Sequence, residues 1–187
     1  MRKTLLLFTT MALALLLAAG TAWAALPAPT VVSTVPPNGT SGVDPAANIT
    51  ATFSEAMSTK SLGICNHCTS TSSSTTFYLL RGDFTAKSAT KNPPRFCKDL
   101  ATGAILEPCP AAIPATVSYT AGTNTATLNP TSTLALNTKY TVVVEGSADG
   151  DFVAVKDTDG TPMLTPLTGD FIFHFTTWTS APLPPAP

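Results

Sequence analysis

The stretch "TKYTVVVEG", Thr138–Gly146, decides the fold class. Its threonine, tyrosine and valine side chains are those that a pleated, half-buried surface accepts best. Towards the C-terminus, "DFIFHFTT" (Asp170–Thr177) reads as a second strand. Phe171, Phe173 and Phe175 fall on one of its faces, and Ile172 and His174 on the other. Towards the N-terminus, "ATVSYT" (Ala115–Thr120) and "TATLNP" (Thr125–Pro130) are short strands separated by "AGTN", which reads as a hairpin loop.

Further out lie "TTFYLLR" (Thr75–Arg81) and "ANITATF" (Ala47–Phe53). In the latter, Ile49, Ala51 and Phe53 alternate with polar residues, the period of a half-buried strand. "TVVSTV" (Thr30–Val35) is the first strand. It is stopped by "PPNG", because proline cannot continue a hydrogen-bonded ladder and Asn-Gly favours a turn. Seven short strands joined by turn chemistry predict an all-β, antiparallel sandwich. The segment Ser54–Leu62 offers at most a helical turn. The proline-rich segment 83–114 shows little pattern and reads as an insertion, longer than an ordinary connection.

Several blocks, in order, carry a family resemblance: "PTVVSTVPPNGTSGVDPAANITATFSEAM", "TFYLL", "ATVSYTAGTNTATLNPTSTLALNTKYTVVV", "VKDTDGTPM" and "FHFTT". From Pro29 to Thr177 the chain resembles the bacterial Ig-like domain of the S-layer-protein (SbsA) type. The matching positions are Phe53, Ser54, Glu55 and Met57, then Leu134 and Leu136 before Tyr140, Asp157 with Gly160, and Phe175 to Thr177. The Cys-containing loop after Met57 and the insertion 83–114 depart from the family pattern. The resemblance implies a module of surface proteins, usually found in tandem. It also implies that Tyr140 is a corner tyrosine whose hydroxyl ties a loop to the backbone, and that Asp157 and Gly160 form a turn leading to the last strand.

The N-terminus has the order of a secretory signal over residues 1–24: Arg2 and Lys3, an apolar run from Leu5 to Leu17, then small residues at Ala22 and Ala24. The predicted organisation is a signal peptide (1–24), a proline-rich lead-in (25–29), an Ig-like domain (30–177) and a proline-rich tail (178–187). The apolar run is too short for a permanent membrane span. The expected location is secreted, cell-surface or periplasmic. The full chain carries 10 basic and 11 acidic side chains. Without Arg2 and Lys3 its net charge is about −3, and it has no basic footprint for nucleic acid. Lys60, Arg81, Lys87, Lys91, Arg95 and Lys98 cluster in mid-chain, and Glu145, Asp149, Asp151, Asp157, Asp159 and Asp170 near the end. The two groups read as solvated faces.

Residues that could carry chemistry are few. Cys65, Cys68, Cys97 and Cys109 all lie in the two departures from the family pattern. In an exported chain they are disulfide candidates, with three pairings open. Joining Cys65 and Cys68 to Cys97 and Cys109 would staple the insertion onto the loop after Met57. The rival is a thiolate zinc site from the same four cysteines, with His67 as a substitute ligand. "CNHCT" has no histidine after its second cysteine, as covalent haem requires. It also opens no helix of the kind that activates a redox thiol. Asp149, Asp151, Asp157 and Asp159 are calcium candidates, although their spacing is not that of an EF-hand and Asp-Gly is common turn chemistry. His67 and His174 are the two histidines, and no serine sits in a nucleophile elbow. "RGD" (Arg81–Asp83) matches a cell-adhesion tripeptide at the level of a short chance motif. "NGT" and "NIT" are glycosylation acceptors only in a eukaryotic secretory route.

The sequence therefore predicts a non-catalytic module with a structural, adhesive or assembly role. Its partners would be proteins or surfaces, with self-association through a sheet edge as one route. The alternative is a small secreted metal- or ligand-binding module using the Cys/His67 loop or the aspartate loop.

Overall fold

A computed structural model of the chain describes residues 27–63, 76–87, 96–106, 109–147, 154–163 and 169–180. Eleven strands occur among them: β1 (Val31–Val35), β2 (Thr40–Val43), β3 (Ile49–Phe53), β4 (Phe77–Arg81), β5 (Phe84–Lys87), β6 (Phe96–Asp99), β7 (Ile105–Leu106), β8 (Ala115–Thr120), β9 (Thr125–Pro130), β10 (Lys139–Val144) and β11 (Phe171–Thr177). A single 3-10 turn, Ala121–Thr123, is the only helical element among the described residues.

The strands form two four-stranded sheets, ordered β1-β3-β9-β8 and β2-β11-β10-β4, and a three-stranded sheet β5-β6-β7. Every pair is antiparallel except β2 with β11, which run parallel with Thr40 opposite Phe175. The four-stranded sheets face each other across the main core. Ile49, Ala51 and Phe53 of β3, Phe77 and Leu79 of β4, Ala126 and Leu128 of β9, Val142 and Val144 of β10, and Phe173 and Phe175 of β11 all point into it. The alternation read from the sequence thus sets the inward face of each strand. Phe77 and Phe173 are fully buried. Burying a side chain of that size is worth roughly 2–3 kcal/mol, so these few positions carry much of the driving force.

All seven strands expected from the sequence are present, with boundaries shifted by two residues at most. The expected number was too small, for two reasons. β2 follows "PPNG" directly and holds only "TSGV", with no apolar alternation to announce it. Its pairing with β11 is a long-range event. The insertion, read as patternless, supplies β5, β6 and β7. Its β6–β7 turn is tied by Asp99, whose Oδ1 accepts the N–H groups of Ala101 (2.8 Å) and Thr102 (3.2 Å).

This third sheet covers the outer face of the second. Tyr78, Leu80 and Val143 project outward from β4 and β10 and pack with Phe84, Cys97 and Cys109. Leu106 and Ile172 lie at the edge of the same cluster. The runs "FYLL" and "TVVV" are apolar on both faces because both faces are covered.

Candidate functional site

The insertion meets the sandwich at the start of β5, where three residues of the sequence reading converge. Gly82 turns the chain out of β4 with φ near +125°, and a side chain there would collide with the Phe84 ring. The N–H of Phe84 donates to Thr141 Oγ1 (2.9 Å), and that hydroxyl donates to Gly82 O (2.8 Å). Thr141 is fully buried, so one hydroxyl satisfies two main-chain groups that would otherwise be stranded in the interior. His174, on the same outward face of β11, places Nε2 3.0 Å from Phe84 O and 3.4 Å from Asp83 Oδ1. Lys139 Nζ pairs with Asp83 Oδ2.

This geometry assigns His174 a docking role. The sequence placed it on a surface-facing strand position. The position is right, but the third sheet leaves the side chain only 17% exposed. Asp83 is the acid of the "RGD" tripeptide, and its carboxylate is already held by Lys139 and faced by His174. The motif is therefore part of an internal junction.

Cys97 and Cys109 are bonded to each other, with Cα atoms 5.1 Å apart. Of the three pairings the sequence left open, this bond belongs to the one that joins Cys97 to Cys109, and not to either that would staple the insertion onto the loop after Met57. The bond closes a 12-residue separation inside the insertion, and buries both sulfurs against the outer face of β4 and β10. The staple joins β6 of the third sheet to the chain beyond β7. Sulfurs joined to each other offer no thiolate to a metal, so the zinc site of four cysteines is not formed. Cys65, Cys68 and His67 lie outside the described residues, as do Asp149 and Asp151.

Asp157 lies in the turn implied by the family resemblance. Its Oδ1 accepts the N–H groups of Asp159 (2.9 Å) and Thr161 (2.7 Å), and its main-chain carbonyl accepts that of Gly160 (3.2 Å). Asp157 is buried and Asp159 exposed. Among the described residues, no three His, Cys, Asp or Glu side chains gather as metal ligands.

Most of the family-motif residues hold the fold together. Phe53 and Met57 are buried in the core. Ser54 Oγ accepts the N–H of Thr30 (3.0 Å), fastening the lead-in to β3. Leu134 is buried, whereas Leu136 is 47% exposed. The Tyr140 hydroxyl accepts the N–H of Ala135 (2.9 Å), as the corner-tyrosine reading required.

The sequence reading put Glu145, Asp157 and Asp170 on a solvated acidic face; the structure buries all three, and two of them form an ionisable cluster with Tyr78. Tyr78 is buried on the outer face of β4, near Glu145 and Asp170, which are themselves 5% exposed. Burial above all, and then the negative charges of Glu145 and Asp170, push its phenol far above the ordinary tyrosine range. Asp170 Oδ1 also accepts the N–H of Gly146 (3.1 Å). The backbone of Gly146 passes so close to Gly169 O that a side chain would collide with it. The signal in the sequence was the tyrosine within the two-sided apolar run of β4. Only the pairing of β4, β10 and β11 brings it near the acids.

A shallow depression of about 200 Å³, lined by Pro45, Ala46, Pro130, Thr131, Ser132 and Thr133, holds no titratable side chain. No helix among the described residues is long and apolar enough to cross a membrane.

Two packed sheets with Greek-key-like crossovers, a corner tyrosine and a turn-forming aspartate define an Ig-like β-sandwich module. The family model described as a bacterial Ig-like domain matches residues 27–177, and the chain belongs to that family. Among solved structures, it is similar to the crystal structure of the S-layer protein rSbsC, with 20% identity, a TM-score of 0.40, and 84% of this chain and 14% of that chain covered. It is likewise similar to the crystal structure of the N-terminal part of the bacterial S-layer protein SbsC, with 20% identity, a TM-score of 0.39, and 84% and 25% of the two chains covered. This chain thus spans a quarter or less of the length of either. No curated protein matches it.

Proposed function

We propose that this protein is a non-catalytic, exported Ig-like module with a structural or assembly role at the cell surface. The observation that carries the reading is the use made of its reactive side chains. His174, Asp83, Asp157, Cys97 and Cys109 are each engaged in holding one segment of the fold to another. Membership of the bacterial Ig-like family supports the same reading. A catalytic site needs a base left free to reach a substrate, and among the described residues each of these groups makes at least one contact that holds the fold. What remains for a partner is sheet edge and loop.

N-terminal sequencing of the protein as isolated, together with protease treatment of intact cells, tests the proposal. A chain beginning at Ala25 that is removed by external protease is the expected result. A chain beginning at Met1 and recovered with the cytosol would overturn it.

A further inference from the structure

The two main sheets end in four edge strands, β1, β8, β2 and β4. An open edge is a template for another strand, and folds commonly blunt it with bulges, prolines, charges or a covering segment. Three of the four are blunted. β1 has a register irregularity between Val31 and Ser33 and runs into Pro36 and Pro37. β2 has four residues and its own irregularity against β11. β4 is covered where Leu79 O accepts the N–H of Ile113 (2.8 Å).

β8 has no such device. Its six residues pair with β9 in unbroken register, from Ala115 opposite Pro130 to Thr120 opposite Thr125. It contains no proline, glycine or charged side chain, and among the described residues β9 is the only strand hydrogen-bonded to it. Its core-facing residues are also unfinished. Val117 and Tyr119 are only half-buried, whereas Leu128 and Ala126 beside them on β9 are fully buried.

We propose that β8 is a homotypic docking strand. Two copies of this chain would pair their Ala115–Thr120 strands antiparallel about a two-fold axis at Ser118, joining two four-stranded sheets into one. The occupant follows from the strand's own sequence. Residues opposite each other in an antiparallel pair share a face, so the axis must lie on a residue and not between two. With Ser118 opposite Ser118 of the second copy, Thr116 meets Thr120 on the exposed face, and Val117 meets Tyr119 on the core face. Threonine and serine pairs, and aromatic with β-branched pairs, are favourable cross-strand combinations. No charge opposes itself across the axis. A self-complementary patch of this kind generates a closed two-fold dimer. About this axis only the five residues Thr116–Thr120 find a partner within the strand, a small interface, so association is weak and depends on concentration. The inference rests on the reading of the protein as a surface assembly module, and locates one contact within it.

Sedimentation of the isolated protein over a rising concentration series tests this directly. The expected result is a monomer–dimer equilibrium that Ser118→Lys weakens at least tenfold, by setting two ammonium groups face to face. Asn129→Lys, on the exposed face of β9 but away from the edge, leaves the equilibrium unchanged. Ser118→Cys supplies a second readout, giving a disulfide-linked dimer under mild oxidation faster than Asn129→Cys. A strictly monomeric protein, or dimers indifferent to Ser118→Lys, would overturn the proposal. Either outcome leaves the localisation result untouched, so the two readings fail separately.

Discussion

The hydroxyl of Tyr140 accepts a hydrogen bond from the N–H of Ala135, five residues earlier in the chain and 2.9 Å away. The ring itself is buried in the main core and stacks on Phe175 with centroids 5.5 Å apart. One side chain therefore fixes the connection leading into β10 and helps pack β10 against β11. Tyr140→Phe keeps the ring and strands the Ala135 N–H. The expected cost is about 1–2 kcal/mol in urea unfolding. An unchanged midpoint would mean that water replaces the phenol.

Thr141 offers a sharper test of how the third sheet is held. Thr141→Val preserves shape but leaves Phe84 N–H and Gly82 O without their shared partner. A loss of roughly 2 kcal/mol is expected. Thr141→Ser, which keeps the hydroxyl, should lose clearly less. Equal losses in the two variants would assign the effect to packing and not to the hydroxyl.

The disulfide should stabilise the insertion more than the sandwich. Closing a loop of this length is worth about 3 kcal/mol on the chain-entropy account. In a Cys97→Ala/Cys109→Ala double variant, amides of Phe84–Leu106 should exchange faster with solvent. Val142 and Phe173 should keep their protection, because their core lies on the other face of the second sheet. Uniform loss of protection throughout the molecule would show that the third sheet is not separable.

Tyr78 gives the protein an alkaline limit. Its folded-state pKa lies above the unfolded value of 10.0, mainly through burial and secondarily through Glu145 and Asp170. Above about pH 10 the unfolded chain loses this proton while the folded chain keeps it. The folded state then binds more protons, and stability falls as pH rises, by up to about 1.4 kcal/mol per pH unit from this group. Below that range the contribution is intact. Tyr78→Phe should flatten the decline between pH 9 and 11 in denaturant midpoints. Parallel declines in the two proteins would sink the assignment.

The sequence by itself determined seven of the strands and which face of each turns inward. Phe171, Phe173 and Phe175 share a face because side chains alternate along any extended chain, whatever surrounds it. β8 and β9 were legible residue by residue for the same reason, whereas the turn around Asp157 was implied by the family resemblance. Order in the sheets was not local information. β2 has no apolar pattern and becomes a strand only because β11 offers it a parallel edge. β5, β6 and β7 are short and polar in part, and they form because the outer faces of β4 and β10 need covering. The doubly apolar runs at Phe77–Leu80 and Thr141–Val144 announced that need without naming what would meet it. Tertiary structure also chose the partner of Cys97, since three pairings are equal on paper and the fold brings Cys109 within bonding distance. The same packing made His174, Asp83 and Thr141 the joint that holds the insertion to the sandwich, because the groups facing them come from strands far apart in the chain.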